Sequence, residues 1–319
     1  MRNFRGEARG PLPTALATAS NNGMRNHAWL GAAVVTLSVL ASGCGSSSSD
    51  SGDTKVSVQY LGLGDSIAYG ENGFVPFTAE ARPNGKGFVG YPDLLGKEVF
   101  SGQYANLGCP GATTASYLSL DGADNGCRDF QKNWLNTLHV PYTSTEADQA
   151  DVELGMNDVN TITIGLGGND LLVTLAACTD ASPDDDSAAL ACALVHLPKA
   201  IKTGAANLKT ILQRIRDDGF KGTLIYVNLY STYPAGASAS GAITAWNSAM
   251  EPVVTAAGGK VADVSAAFTD AAAGADPCDA GLLIPNPVDG ATPACDVHPS
   301  EKGARLLADT MKAVPGFGP

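Results

Sequence analysis

Basic residues are scarce in this chain. Of 319 residues only 20 are Lys or Arg, against 32 Asp or Glu, for a net charge of −12. Four of the arginines (Arg2, Arg5, Arg9 and Arg25) but only one acid (Glu7) lie in residues 1–43, so the remainder holds 16 basic and 31 acidic residues, net −15. Such a surface repels a phosphate backbone, which argues against nucleic acid as a partner. Charged residues make up 16% and hydrophobic residues 44%, too little charge for a disordered chain and enough apolar mass for a full core. After residue 44 no apolar run is long enough to span a bilayer. Several site signatures are missing too. There is no CxxC, and Cys295/His298 stand alone at ligand spacing, so a structural zinc site is not expected. The Gly-x-Ser-x-Gly elbow is absent, since Gly64-Asp65-Ser66-Ile67 continues with Ala68 and Gly236-Ala237-Ser238-Ala239 with Ser240. Gly165-Leu166-Gly167-Gly168 lacks the third spaced glycine of a dinucleotide loop, and no Lys-Ser/Thr follows it. Neither a metal nor a cofactor is expected.

The N-terminus reads as an address. From Met24, read as the true start, Arg25 supplies a short positive region and Ala28–Ala41 an apolar stretch, followed by the small residues Ala41, Ser42 and Gly43 ahead of Cys44. That is a signal peptide, too short for a membrane span. Its small-small-Cys ending resembles a bacterial lipobox, in which the cysteine is lipidated. Leu40 sits one residue further back than the usual Leu, and an ordinary secretory signal is the alternative. Residues 44–55, Cys44 followed by GSSSSDSGDTK, then form a flexible tether. A diacylated Cys44 would hold the protein stably on a membrane; otherwise it would be secreted. The six remaining cysteines suit an exported protein. Their grouping favours three local bridges, Cys109–Cys127, Cys178–Cys192 and Cys278–Cys295, among 15 possible connectivities.

Residues 56–319 read as one domain of alternating strands and helices. Apolar, β-branched runs at Val56–Gly62, Gln103–Leu107, Asn160–Leu166, Thr223–Tyr230 and Lys260–Ser265 predict strands. Helices are expected at Tyr91–Phe100, at Lys199–Asp218 with Gly219 as C-cap, near Ala242–Ala257, and at Pro299–Ala313. This alternation predicts an α/β fold, three layers around a mostly parallel sheet. The acidic, Ala-rich tract Thr179–Ala191 reads as a surface insertion. Its DASPDDDS run is a solvated loop, lacking the spaced ligands and closing Glu of a calcium site.

In such sheets sites form beyond the C-terminal strand ends. Gly64-Asp65-Ser66 follows the first strand, Asn106–Thr113 (NLGCPGAT) the second and Gly167-Gly168-Asn169-Asp170 the third, while Asp296-Val297-His298-Pro299 precedes the last helix. Together these blocks, in this order and spanning nearly the whole exported chain, resemble those of the SGNH (GDSL-type) hydrolases. The resemblance implies a flavodoxin-like fold and serine-dependent hydrolysis of carboxylic esters through an acyl-enzyme, without metal. Residue by residue it makes Ser66 the nucleophile and His298 the base. The Ser66 and Gly111 N–H groups and the Asn169 amide would form an oxyanion hole. Asp65 and Asp170 read as structural residues bonded within their turns.

Most members carry an Asp three residues before the histidine, where this chain has Cys295. Two candidates are left to orient His298: Asp296, displaced by one residue, or the backbone carbonyl of Cys295. The other histidines past the leader, His139 in an aromatic-rich loop and His196 in an apolar run, read as packed or surface residues. The local bridges resemble those of secreted actinobacterial-type lipases and esterases, which points to lipid or short-chain esters as substrates of a monomer. The alternatives are an acyltransferase or polysaccharide deacetylase on the same residues, a paired-carboxylate glycosidase, and a lipoprotein that binds ligands without turnover.

Overall fold

The computed structural model describes residues 57–76, 87–233, 240–288, 290 and 293–319, within the unit that begins at Val56. The leader, Cys44 and the tether lie outside the described residues. In chain order the elements are β1 (Tyr60–Gly64), α1 (Ser66–Tyr69), α2 (Tyr91–Glu98), β2 (Tyr104–Asn106), α3 (Thr114–Leu118), α4 (Cys127–Trp134), α5 (Glu146–Met156) and β3 (Thr161–Gly165). There follow α6 (Gly168–Ala181), α7 (Asp186–Asp217), β4 (Thr223–Val227), α8 (Ser240–Ala256), β5 (Lys260–Ala262), α9 (Val264–Ala272), β6 (Leu283–Pro285), β7 (Cys295–Pro299) and α10 (Glu301–Lys312).

The first five strands form one parallel sheet in the order β2-β1-β3-β4-β5. That is the flavodoxin-like arrangement, with its switch point between β1 and β3, where chain direction away from the sheet reverses and a crevice opens. Strand alternation sorts the side chains into two cores. Leu61, Leu63, Ile162, Ile164, Leu224 and Tyr226 face one side with α5, α7 and α8, through Ala147, Ala150, Leu208, Ile211, Leu212, Trp246 and Met250. Tyr60, Ile225 and Val227 face the other with α2, α9 and α10, through Tyr91, Leu95, Phe268, Leu307 and Met311. Both faces are covered, which is why the strands read as continuous apolar runs. A separate antiparallel ribbon, β6–β7, carries the last sequence block to the edge of the site.

Three expectations shift. The first strand begins at Tyr60 rather than Val56, and in-register pairing to Tyr104 and Thr161 starts there. The tract Thr179–Ala191 is not a loop insertion. Its alanines extend both flanking helices, as their propensity favours, and only a turn around Ser182–Asp185 separates them; there the Asp185 carboxylate accepts from the N–H groups of Ser187 and Ala188. The helix expected from Lys199 starts at Asp186 and runs through Pro198. A proline inside a helix normally reads as a break, which hid the first half of α7. The structure forms the bridges Cys109–Cys127, Cys178–Cys192 and Cys278–Cys295.

Candidate active site

The turn after β1 leaves no room for a side chain at Gly64. Gly64 has φ +149°, and a Cβ there would lie 2.4 Å from the Gly165 carbonyl oxygen of β3, so only glycine fits. Asp65 then caps α1, its carboxylate accepting from Ile67 N at 2.9 Å. Ser66 is the first residue of α1, a position whose N–H has no acceptor within its own helix. Burial pushes the Asp65 carboxyl up to about 7, against the Ile67 hydrogen bond and the charge of His298.

From β2, the Cys109 N–H donates to Gly64 O at 2.9 Å and holds the second block beside the first. Gly111 has φ +84°, and a side chain there would strike the Asn125 carbonyl at 2.3 Å. Its own carbonyl accepts from Asn125 N at 2.9 Å, and Cys109–Cys127 ties the two segments together. From β3, Gly167 (φ +129°) starts α6 against the face of Trp246, 2.3 Å from where a Cβ would stand. The next side chain, Asn169, is buried. Its Nδ2 donates to Ala112 O at 3.0 Å and points at Asp65 Oδ2 at 3.4 Å, while its Oδ1 accepts from Asn125 at 2.9 Å. Asp170 bonds beyond its turn as well as to its own backbone N–H. Its carboxylate crosses to Thr114, accepting from the backbone N–H at 3.0 Å and from the hydroxyl at 2.6 Å. Burial raises the Asp170 carboxyl, partly offset by those two bonds.

His298 stands on β7 with its Nδ1 2.8 Å from Asp296 Oδ2. In a strand, residues two apart share a face, so Asp296 reaches the ring although it stands one residue from the family's usual place. The same oxygen accepts from Gly73 N at 2.6 Å, and Asp296 Oδ1 from Val297 N. Burial pushes the Asp296 carboxyl up, but the hydrogen bond and charge of His298 and the two amides more than offset it and hold the group below its usual range. An ionised Asp296 fixes the tautomer with hydrogen on Nδ1 and leaves Nε2 as an acceptor. The ribbon itself is pinned by the Tyr230 hydroxyl on Val297 O at 2.8 Å and by Cys278–Cys295. His139 packs on Tyr69, with Nε2 2.9 Å from its carbonyl oxygen, and His196 is exposed on α7.

Several supporting residues were not legible in the sequence. Trp246 Nε1 donates to the Tyr226 hydroxyl, which donates to Leu166 O, both at 2.9 Å, a relay under the Gly167 turn. Asn106 donates to Ala68 O and Asp93 beneath α1. Glu146, also buried, accepts from Gly64 N at 2.6 Å. Burial raises its carboxyl well above the usual range, against the Gly64 bond. The capping box Thr145–Asp148 starts α5 there, but nothing local tells that Glu146 reaches another strand.

Ser66, Gly111, Asn169 and His298 all line one cleft of about 480 Å3. Pro110, Phe130, Trp134, Leu172 and Val297 make it mainly apolar, and Asn125, Asp129 and Asn133 add polar groups. A cleft of that size at the switch point of a parallel sheet holds a small organic ligand. Among the described residues no group of three His, Cys, Asp or Glu is arranged to hold a metal ion.

A sequence model of the GDSL-like lipase/acylhydrolase family matches residues 63–306. The chain belongs to that family, and its α/β fold therefore carries a carboxylic ester hydrolase. Among curated proteins no sequence match was found. Among solved structures the chain is similar to an acetylxylan esterase from Geobacillus stearothermophilus, with 16% identity over 80% of this chain and 94% of that one and a TM-score of 0.46. It is also similar to a lipase, Lip_vut3, from a goat rumen metagenome, with 19% identity over 82% and 98% and a TM-score of 0.46. A third is a member of the lipolytic G-D-S-L family from Veillonella parvula, with 14% identity over 81% and 98% and a TM-score of 0.43. The family assignment rests on the sequence model.

Proposed function

We propose that the chain hydrolyses carboxylic esters through an acyl-enzyme on Ser66, with His298 as base and Asp296 as its orienting partner. The observation that carries this reading is the 2.8 Å contact of His298 Nδ1 with Asp296 in the wall of the cleft that also holds Ser66, Gly111 and Asn169. Ser66 Oγ attacks the ester carbonyl carbon as its proton passes to His298 Nε2. The imidazolium, stabilised by Asp296, returns that proton to the departing alcohol oxygen. Water then repeats the sequence on the acyl-enzyme and releases the acid. The developing oxyanion is met by the Ser66 and Gly111 N–H groups and by Asn169, whose long 3.4 Å contact to Asp65 is the one most easily exchanged. Each such donor is worth about 2.7–4 kcal/mol in the transition state.

The apolar wall of Phe130, Trp134 and Leu172 suits the acyl chain of a lipid or short-chain ester. The three disulfides suit an oxidising compartment, and we propose export, with Cys44 lipidated and residues 45–55 as the tether. The test is hydrolysis of p-nitrophenyl esters from acetate to palmitate by the exported chain. Ser66→Ala and His298→Ala are expected to lower kcat by about 10⁴-fold or more, and Asp296→Asn by about 10²–10⁴-fold. Full activity in Asp296→Asn would hand the orienting role to the Cys295 carbonyl. A wild type that neither hydrolyses any ester nor lets a fluorophosphonate label Ser66 would leave a ligand-binding lipoprotein.

A further inference from the structure

The hairpin made by α6 and the first half of α7 belongs to neither core. Leu171 is the last α6 side chain packed on the larger core and Ile201 the first from α7; among the described residues none between them packs on either cluster. The two helices hold each other, through Cys178–Cys192 and the buried Ala189. Outward they present Leu172, Leu175, Leu190, Leu194 and Val195, each 43–74% exposed. Leu172 and Leu175, three apart, share a helix face, as do Leu190 and Leu194, four apart. Scattered apolar residues on a surface are ordinary, but a group of this size on one projecting element marks an interaction site.

Charge narrows the partner. No Asp, Glu, Lys or Arg occurs from Leu171 to Thr179 or from Ser187 to Pro198, in a chain of net charge −12. The turn between the helices holds Asp184 and Asp185, both exposed. A membrane-surface helix that seeks anionic lipid carries Lys and Arg along its apolar face; this one carries none between Ser187 and Pro198, with Lys199 only one turn past Val195, and its acidic tip opposes an anionic surface. The band is also continuous with the site. Leu172 lines the cleft with Ser66 and His298, and Val297, half exposed, lines it beside His298. A second copy seated on the band would cover that mouth, whereas a lipid surface seated there offers its acyl chains to it.

We propose that the α6–α7 hairpin docks the protein on neutral or zwitterionic lipid aggregates and passes their esters into the cleft, a role that rests on the hydrolase reading above. The deciding variant is Leu190→Ser/Leu194→Ser/Val195→Ser in the exported chain, at positions outside the cleft. Its rate on dissolved p-nitrophenyl butyrate is expected to stay within about twofold of wild type, and its rate on tributyrin droplets to fall by about tenfold or more. Equal rates on droplets overturn the proposal. So does a wild-type dimer that the triple substitution dissolves, which would make the band an interface between copies. A second readout is independent of catalysis: an environment-sensitive fluorophore on Val195→Cys should shift to the blue with phosphatidylcholine vesicles, and one on Lys209→Cys should not. A shift without fluorophosphonate labelling of Ser66 keeps the docking and removes the hydrolase; labelling without a shift does the reverse.

Discussion

The two halves of α7 carry the same kind of side chain and meet different surroundings. In the second half Leu208, Ile211, Leu212 and Ile215 are buried, packed against the sheet through Leu224 and Ile162 in one core. In the first half Leu190, Leu194 and Val195 stand in water. Spacing of three and four identifies a helix face; it does not say what covers the face. The second half packs on the sheet, while the first packs on neither core and is tied to α6 through Cys178–Cys192. The core-packed half positions β3, β4 and thereby the site, and the free half is left to meet something from outside.

Truncation at matched leucines breaks this contrast or makes it quantitative. Leu212→Ala opens a cavity in the larger core and is expected to cost about 3–5 kcal/mol of stability. Leu194→Ala, in the same helix, removes no packed neighbour from either core and should stay within about 0.5 kcal/mol. Urea unfolding of both variants measures the difference. Equal losses would mean that the hairpin is packed in solution against something that the domain itself supplies.

The disulfides sharpen the contrast at a smaller scale. Cys178 and Cys192 are 14 residues apart and Cys109 and Cys127 are 18, so loop-closure entropy assigns each about 3 kcal/mol. Their placement differs. Cys109 and Cys127 lie in the larger core, and replacing both by serine is expected to lower the melting temperature of the whole domain and to impair hydrolysis through Gly111. Replacing Cys178 and Cys192 should act locally, raising amide exchange over residues 172–198 while the sheet keeps its protection. Uniform exchange across the domain after loss of Cys178–Cys192 would show that hairpin and body unfold as one unit.

The same contrast separates what could be read in the sequence. The parallel sheet and the four polar blocks were legible because each is a local pattern: an apolar run of strand length, then a turn that needs Gly64 or Gly167. The hairpin was not, because Pro198 and the acidic turn resemble breaks, and because exposure depends on the absence of a partner, which no local pattern records. Asp296 was half legible. Its distance from His298 along the chain was plain, but whether the carboxylate reaches the ring depends on β7 being extended, and that depends on its pairing with β6 and on the tie from Cys295 to Cys278. Glu146 and Trp246 were invisible as site residues, since their partners, Gly64 on one side and Tyr226 on the other, come from distant strands.

A final difference lies in where the acids stand. Those of the hairpin tip are exposed, whereas Asp65 and Glu146 are buried against the nucleophile turn. Burial raises the Asp65 carboxyl to about 7 from an ordinary 3.8. Between those values the folded state holds a proton that the unfolded chain has lost, so the Asp65 contribution to stability falls as the pH rises from about 4 to 7, by at most about 1.4 kcal/mol per pH unit. Asparagine keeps the helix cap, since its side-chain oxygen accepts from the same N–H, but it has no proton to lose. Asp65→Asn is therefore expected to reduce the decline in urea midpoint between pH 4 and 7, leaving the part due to Glu146, Asp170 and Asp218, whose carboxyls are raised as well. The exposed Asp184→Asn serves as the reference. A decline that Asp65→Asn leaves untouched would mean that water reaches the carboxyl and that the turn under Ser66 is more open than its hydrogen bonds to Ile67 and Gly165 imply.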